Sequence, residues 1–295
     1  MKITILLALA AVNLCCHGES LDTAKIEQII GLKGALNTNE GVFKVTLPRT
    51  DTKVSVDGWT MPSFMGLASW AAFTEQKADD VMVMGDTMLF QDEVNPVMSV
   101  ALDNGLSVTA LHNHFFYDEP KVYFMHISGM GEAGKLATAI RKMWDKVTEI
   151  RAANPQPGKT FGVVALPAAN AITGRVIEDL LDAKGQASNG MFKVVIGRTT
   201  KMPCGCEMTK EMGVNTWAAF AGEDENTLVD GDFAVLEEEL QPVLKSLRHG
   251  GFNVVAIHSH MSQENPRILF LHYWGRGRTA DLAAGLKAAL ATQKK

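Results

Sequence analysis

The sequence predicts an α+β fold: two tandem repeats of one domain, mostly antiparallel sheet with helices, packed with approximate twofold symmetry. Three observations carry this. Long strings of residues recur in the same order. Each copy mixes strand-like and helix-like apolar periods. Each copy also carries the same histidine pattern, H-x-H-x11-H.

The recurrence runs through nearly the whole chain. Ile26-Glu27 returns as Ile177-Glu178, and Gly41-Val42-Phe43-Lys44-Val45 as Gly190-Met191-Phe192-Lys193-Val194. Trp70-Ala71-Ala72-Phe73 returns as Trp217-Ala218-Ala219-Phe220, Gly85-Asp86 as Gly231-Asp232, and Pro96-Val97 as Pro242-Val243. Ala110-Leu111-His112-Asn113-His114 returns as Ala256-Ile257-His258-Ser259-His260, and His126 as His272. A conserved order with a slowly drifting offset is the mark of duplication. The expected organisation is a signal peptide over 1–18, repeat one over 19–152, a linker over 153–174 rich in Pro and Gly, and repeat two over 175–295.

Within repeat one the expected elements follow in order. A helix spans Thr23 to Ile30 and is ended by Gly31. Strands follow over Val42 to Leu47, Val54 to Val56, Leu67 to Phe73 and Val81 to Leu89. A second helix runs from about Asp92 to Asp103, with Val94, Val97, Met98, Ala101 and Leu102 on one face, and Asn104-Gly105 ends it. A strand then reaches Phe116, a turn passes through Asp118-Glu119-Pro120, and a strand returns to Ile127. A last helix runs from Glu132 to about Val147. Repeat two follows the same grammar, with Leu240, Val243, Leu244 and Leu247 on its second helix.

Lys2 followed by the apolar run Ile3 to Leu14 has the layout of a secretory signal peptide, too short to span a bilayer stably. The expectation is an exported protein, periplasmic or in the cell envelope. Cys15 and Cys16 would suit a lipid anchor, but Val12-Asn13-Leu14 lacks the small residue that processing wants, so a soluble mature chain is favoured. No later stretch reads as transmembrane. The net charge of −5 comes without a basic stripe, which argues against nucleic acid as a partner. Gly158-Lys159-Thr160 resembles the end of a P-loop, but Ala153 stands where the first glycine belongs, so nucleotide binding is rejected.

The histidines carry the chemistry. Side chains alternate along a strand, so His112 and His114 share a face. A hairpin centred on Glu119 would set His126 opposite His112, and one centred on Asn265 would do the same for His272 and His258. Each hairpin would thus gather three imidazoles: His112, His114 and His126 in one copy, His258, His260 and His272 in the other. Three neutral imidazoles with open positions suit a divalent transition metal, zinc among them. Asp118, Glu264, Asp86 and Asp232 are candidates for a further ligand or for a partner that fixes a histidine tautomer. The alternative is a histidine hydrogen-bond network without metal. Cys204-Gly205-Cys206, flanked by Met202 and Met208, is a weaker candidate for a soft Cu(I) site. Arg49 and Arg198 could grip a small anion or form surface salt bridges; Arg276 and Arg278 could lean toward a bound anion. Trp70 and Trp217 are expected in the core.

Several strings resemble the LppY/LpqO family, also known as domain of unknown function 1259. They are Gly41 to Arg49, Trp70-Ala71-Ala72-Phe73, Met84-Gly85-Asp86, Glu93-Val94-Asn95-Pro96-Val97 and Val108 to His114. The second copy is similar at Gly231-Asp232, Pro242-Val243 and His258-Ser259-His260, with Ser259 in place of the usual Asn. The resemblance implies a bacterial envelope protein in two tandem copies and names no activity. A local similarity to cupins lies in H-x-H followed by Glu119 or Glu264, although the downstream glycine is missing and the helices do not suit an all-β barrel. The resulting expectation is an exported, two-domain metal-binding protein. The alternatives are a metal-dependent enzyme (a hydrolase or a cupin-like oxygenase or isomerase) with Asp118 or Glu264 as general base, and a metal-free envelope interaction protein.

Overall fold

The computed structural model describes residues 21–77, 80–162 and 164–294. The expected signal peptide, with Cys15 and Cys16, lies outside the described residues. Repeat one comprises α1 (Thr23–Ile30), β1 (Gly34–Asn37), β2 (Val42–Pro48), β3 (Ser55–Val56), β4 (Trp59–Thr60), β5 (Ala68–Lys77) and β6 (Asp80–Phe90). It continues with α2 (Gln91–Asp103), β7 (Ser107–His112), β8 (Asp118–Glu119), β9 (Val122–Gly131) and α3 (Ala133–Ala153). Repeat two comprises α4 (Gly174–Leu181), β10 (Gly185–Ser188), β11 (Met191–Gly197), β12 (Thr200–Lys201), β13 (Glu207–Met208), β14 (Asn215–Glu223) and β15 (Asn226–Leu236). It ends with α5 (Leu240–His249), β16 (Asn253–His258), β17 (Ile268–Gly277) and α6 (Thr279–Leu290).

The two repeats share one antiparallel sheet of 12 strands, in the order β1-β2-β5-β6-β9-β7-β16-β17-β15-β14-β11-β10. The order reads the same from either edge, one repeat mirroring the other about the β7–β16 seam. At the seam Leu111 pairs with Ile257. Two side-chain amides lock it reciprocally, Asn95 buried and Gln241 partly buried. The Asn95 side chain on α2 accepts from the Val254 amide at 2.8 Å and donates to the Val254 carbonyl at 3.2 Å. The Gln241 side chain on α5 accepts from the Val108 amide at 2.9 Å and donates to the Val108 carbonyl at 2.8 Å. Val108 and Val254 are where the ladders β7–β9 and β16–β17 shift register. A bulge frees backbone groups that must be paired when buried, and each repeat's helix pairs those of the other.

All the long helices cover one face of this sheet. Their apolar sides and the odd-numbered residues of β9 and β17 form one continuous core across both repeats, including Met98, Met125, Ile127, Ile140, Trp144, Leu244, Leu247, Leu271, Tyr273 and Leu286. The opposite face carries two small apolar clusters. One holds Val54, Met88, Phe90, Val122 and Phe124; the other holds Val214, Ala234, Ile268 and Phe270. The histidines sit on this uncovered face, between the clusters. Among the described residues no helix is long and apolar enough to cross a membrane.

Local chemistry explains most element ends. The Asp22 side chain accepts from the Lys25 amide at 2.9 Å and caps α1, and Gly31 closes it at φ +79°. Glu93 caps α2 by accepting from the Phe90 amide at 2.8 Å. The strand expected to reach Phe116 stops at His112, because the Asn113 side chain turns to donate to the Val122 carbonyl at 3.0 Å. The last helix of repeat one runs to Ala153, beyond the expected Val147. Its final turn carries Arg151, buried against Asp92 and Glu93.

Candidate metal centre

The site is built by alternation on neighbouring strands. In repeat one Trp70 pairs with Asp86 across β5–β6, and Asp86 pairs with His126 across β6–β9. In repeat two Trp217 pairs with Asp232, and Asp232 with His272. Cross-strand partners share a face, so the tryptophan, the aspartate and the histidine of each repeat line up on the uncovered side. The glycine before each aspartate has a physical reason. A Cβ on Gly231 would come within 2.3 Å of the Trp217 carbonyl oxygen and of the Tyr273 hydroxyl, and one on Gly85 within 2.7 Å of the Trp70 carbonyl oxygen. The Gly-Asp pair therefore lets the strands close on the helix side while the carboxylate reaches the histidines.

The register differs from the sequence expectation. His112 pairs with Phe124, and His126 pairs with Ala110. Likewise His258 pairs with Phe270 and His272 with Ala256. The loops between these strands are wider than tight hairpins, and the ladder is displaced by two residues. A two-residue displacement preserves the face, so the imidazoles still converge. His114 and His260 lie past the strand ends, where each ring stacks on a phenylalanine: His114 on Phe124 at 3.4 Å between centroids, and His260 on Phe270 at 3.5 Å.

In repeat one the His112 ring lies 5.2 Å from His114 and 5.1 Å from His126, centroid to centroid. Its Nδ1 faces the Asn113 carbonyl oxygen at 3.3 Å. In repeat two His258 lies 5.1 Å from His260 and 4.8 Å from His272. The His260 Nε2 is 3.2 Å from the His258 Nε2 and 3.3 Å from the Asp232 Oδ2. Asp232, His258 and His272 each bring one ligand atom into a group whose members all lie within 4.8 Å of one another.

These polar groups are costly to bury without partners. Asp86 Oδ1, Asp232 Oδ1 and His258 Nδ1 are buried with no hydrogen-bond partner. An unsatisfied buried group costs about 1–3 kcal/mol, more when charged. Burial pushes the Asp86 carboxyl above its ordinary range, opposed by the neighbouring His126, His114 and His112. Burial pushes His114 down, helped by His112, and pushes His258 down against the pull of Asp232. Both imidazoles therefore favour the neutral form, which has a lone pair to give a cation.

The other carboxylates have different employment. Asp118 Oδ2 accepts from the Val122 amide at 2.7 Å, and Glu264 Oε1 from the Ile268 amide at 3.2 Å. Both are buried and close the loops between the histidine strands, four residues ahead of the amides they hold. The group that converges in repeat two includes Asp232 and not Glu264. Glu119 is exposed and lies 3.6 Å from Lys159. Arg49 is not on the surface: it is buried, with its guanidinium bound to Glu93 at 2.9 Å and to Asp51 at 2.8 Å. Arg198 pairs with Glu239. Arg276 is tied to the Val164 carbonyl and to Asn226, and Arg278 to Glu225. Each of these arginines already has a carboxylate, amide or carbonyl partner.

Trp70 and Trp217 are half-buried on the open face, outside the core. Lys44 Nζ stands 4.3 Å over the Trp70 ring, and Lys193 Nζ the same distance over Trp217. The signal for these pairs was in the sequence. Both lysines and both tryptophans belong to recurring strings, and strand alternation puts them on the histidine side. In repeat two a cleft of about 460 Å³ opens there, bordered by Lys193, Lys210, Trp217, Asp232 and His260.

Cys204 and Cys206 are free and exposed at the tip of the β12–β13 hairpin, where Gly205 turns the chain at φ +83°. A hydrogen bond from the Cys206 side chain holds the Cys204 thiol below its ordinary range. Lys201 and Asn265 exchange backbone hydrogen bonds at 3.2 and 2.9 Å, which hooks this hairpin to the loop after His260.

Comparison with known proteins agrees with the duplication. The family model described as Domain of Unknown Function (DUF1259) matches residues 24–146 and again 175–292. The chain belongs to this family. Both matches contain a full histidine triplet and its Gly-Asp pair. No curated protein and no solved structure matches the chain.

Proposed function

We propose that this member of the family is an exported metal-binding protein of the bacterial cell envelope, with one divalent transition-metal site in each repeat. His258, His272 and Asp232 would hold the ion in repeat two, with His260 beside them. His112, His126 and Asp86 would do so in repeat one, with His114 beside them. The observation that carries the reading is the convergence of Asp232, His258 and His272 within 4.8 Å, with Asp232 Oδ1 and His258 Nδ1 buried and unpaired. Donor atoms around a tetrahedral ion stand roughly 3.3–3.6 Å apart, given metal–ligand bonds of about 2.0–2.2 Å. Small side-chain rotations would draw the group in to that spacing. Imidazole and carboxylate donors suit zinc, iron, copper, nickel or manganese. Export rests on the N-terminal sequence pattern.

A second reading, a metal-dependent enzyme using the same residues, is favoured by the cleft beside Asp232 and His260. Its ion would polarise a bound oxygen. Asp118 or Glu264 would serve as the base through the oxygen that does not hold a backbone amide.

Elemental analysis of the mature chain tests the first reading. Near-stoichiometric metal that falls in His258→Ala, in Asp232→Asn and separately in His112→Ala is the expected result. Protein that carries no metal and takes up none of zinc, copper, nickel, iron or manganese would leave the histidines as a structural network in a metal-free envelope interaction protein.

A further inference from the structure

The cleft of repeat two has a lining that selects by charge. Lys184, Lys193, Lys210 and Glu211 all border it and all are exposed, Lys184 being paired with Glu178 at 3.1 Å. Lys193 has no ion pair among the described residues; its ammonium rests on the Trp217 face at 4.3 Å. Lys210 is only at the edge of ion-pair range, with its Nζ 4.0 Å from Glu211. The backbone that carries Lys210 is fixed, since the Asn215 side chain donates to the Lys210 carbonyl at 2.7 Å. Trp217 thus positions one ammonium and gives the cleft an apolar wall, while Asp232 and His260 form the end that meets the proposed ion. A volume of about 460 Å³ falls within the range of small-molecule sites, about 300–1,000 Å³.

We infer that this cleft binds a small organic anion, a carboxylate or phosphate ester. Its charged group sits between Lys193 and Lys210, its apolar body lies along Trp217, and one of its oxygens reaches the ion beside Asp232. The last contact rests on the metal reading; the two lysine contacts do not. A cation would be repelled by both ammonium groups. A neutral ligand would gain no charge-assisted contact from either.

Repeat one supplies an internal control. Lys44 sits over Trp70 in the same way, but Ser63, Phe64 and Ala68 stand where repeat two has Lys210, Glu211 and Asn215. The second ammonium is missing there, so the anion site belongs to repeat two.

The test is calorimetric titration of the zinc-loaded mature chain with benzoate and with phenyl phosphate, using benzamide as the uncharged counterpart. At least one anion is expected to bind with Kd below about 1 mM, with benzamide at least about tenfold weaker. Lys193→Gln and Lys210→Gln should each weaken anion binding by about tenfold or more, the loss of one charge-assisted contact. Lys44→Gln should leave it unchanged. The substituted lysines are exposed, and circular dichroism of each variant checks its fold. Zinc content is measured on the same samples, which separates the two readings. Zinc-bearing protein that binds neither anion, or binds them regardless of both lysines, overturns the inference and leaves the metal reading intact. Protein that holds no zinc yet binds an anion through Lys193 and Lys210 upholds the cleft and overturns the metal reading.

Discussion

The two repeats have one backbone plan and two degrees of polar commitment. Both present a tryptophan, an aspartate and three histidines on the uncovered face. In repeat two Asp232, His258 and His272 already converge, and a cleft with lysines opens beside them. In repeat one the His112 ring turns its Nδ1 toward a backbone carbonyl, and exposed Phe64, Phe116 and Tyr117 are part of its surface. The structural ion pairs differ in the other direction. Arg49 is buried and grips two carboxylates, whereas Arg198 is partly exposed and, among the described residues, pairs with the carboxylate of Glu239 alone. Duplication preserved the frame. The copies now differ: repeat one has the more deeply buried ion pair, and repeat two has the cleft beside its histidines.

The largest effect that could break this comparison is on stability. Arg49→Ala removes one of the two arginines paired with the fully buried Glu93, the other being Arg151, and should cost about 3–5 kcal/mol. Arg198→Ala, at a more solvated pair, should cost about 1–3 kcal/mol. Urea denaturation followed by circular dichroism measures both, and equal losses would erase the contrast.

Metal affinity comes next. Donor groups that already converge need less reorganisation, so zinc should bind repeat two at least about tenfold more tightly than repeat one, close to 1.4 kcal/mol. Competition with a chromophoric chelator should resolve two classes, with His258→Ala removing the tighter and His112→Ala the weaker. A single class in the parent protein would show that the divergence does not reach the metal.

A smaller effect concerns pH. Burial alone would raise the Glu239 pKa, but Arg198 and the amides of Leu236 and Lys294 outweigh it and hold the carboxyl below its ordinary range. A depressed folded-state pKa gives stability that is present above the unfolded value, near 4.3, and lost as pH falls through the folded value. The stability gap between the parent and Glu239→Gln should therefore be full near neutrality and shrink on acidification below about pH 4. A gap that widens there would reverse the sign of this assignment.

The smallest expected effect is at the cysteine pair found only in repeat two. Cys204 and Cys206 should react with a thiol reagent in the native protein, and the double serine variant should keep the zinc content of the parent. Loss of zinc in that variant would bring the thiols into the ion site.

Much of this was legible in the chain because it depends on local order. The α1 bounds follow from a capping aspartate and a closing glycine. The β5 and β6 strands follow from alternation, and the histidine face survives a two-residue register error because side chains repeat every second position. β1 was not legible: Gly34-Ala35-Leu36-Asn37 has little strand character and is a strand because β2 pairs with it. The roles of Asp118 and Glu264 were also hidden, since spacing puts a carboxylate near the loop but cannot say that a backbone amide claims it. Arg49 read as a surface residue because nothing local reveals that α2 brings Glu93 onto it.

The sequence by itself determined the duplication, the family, the α+β class and the set of histidines and aspartates available to a cation. Those are properties of composition, order and period. The tertiary structure decided that the two copies merge into one sheet through β7 and β16, and that Asn95 and Gln241 pair the bulged strands across the seam. It also decided that Asp86 and Asp232, rather than the loop carboxylates, join the histidines, and that a cleft opens in repeat two. The reason is physical: each of these outcomes depends on which distant backbone or side-chain group arrives to satisfy a buried donor, acceptor or charge, and that is set by packing between segments far apart in the chain.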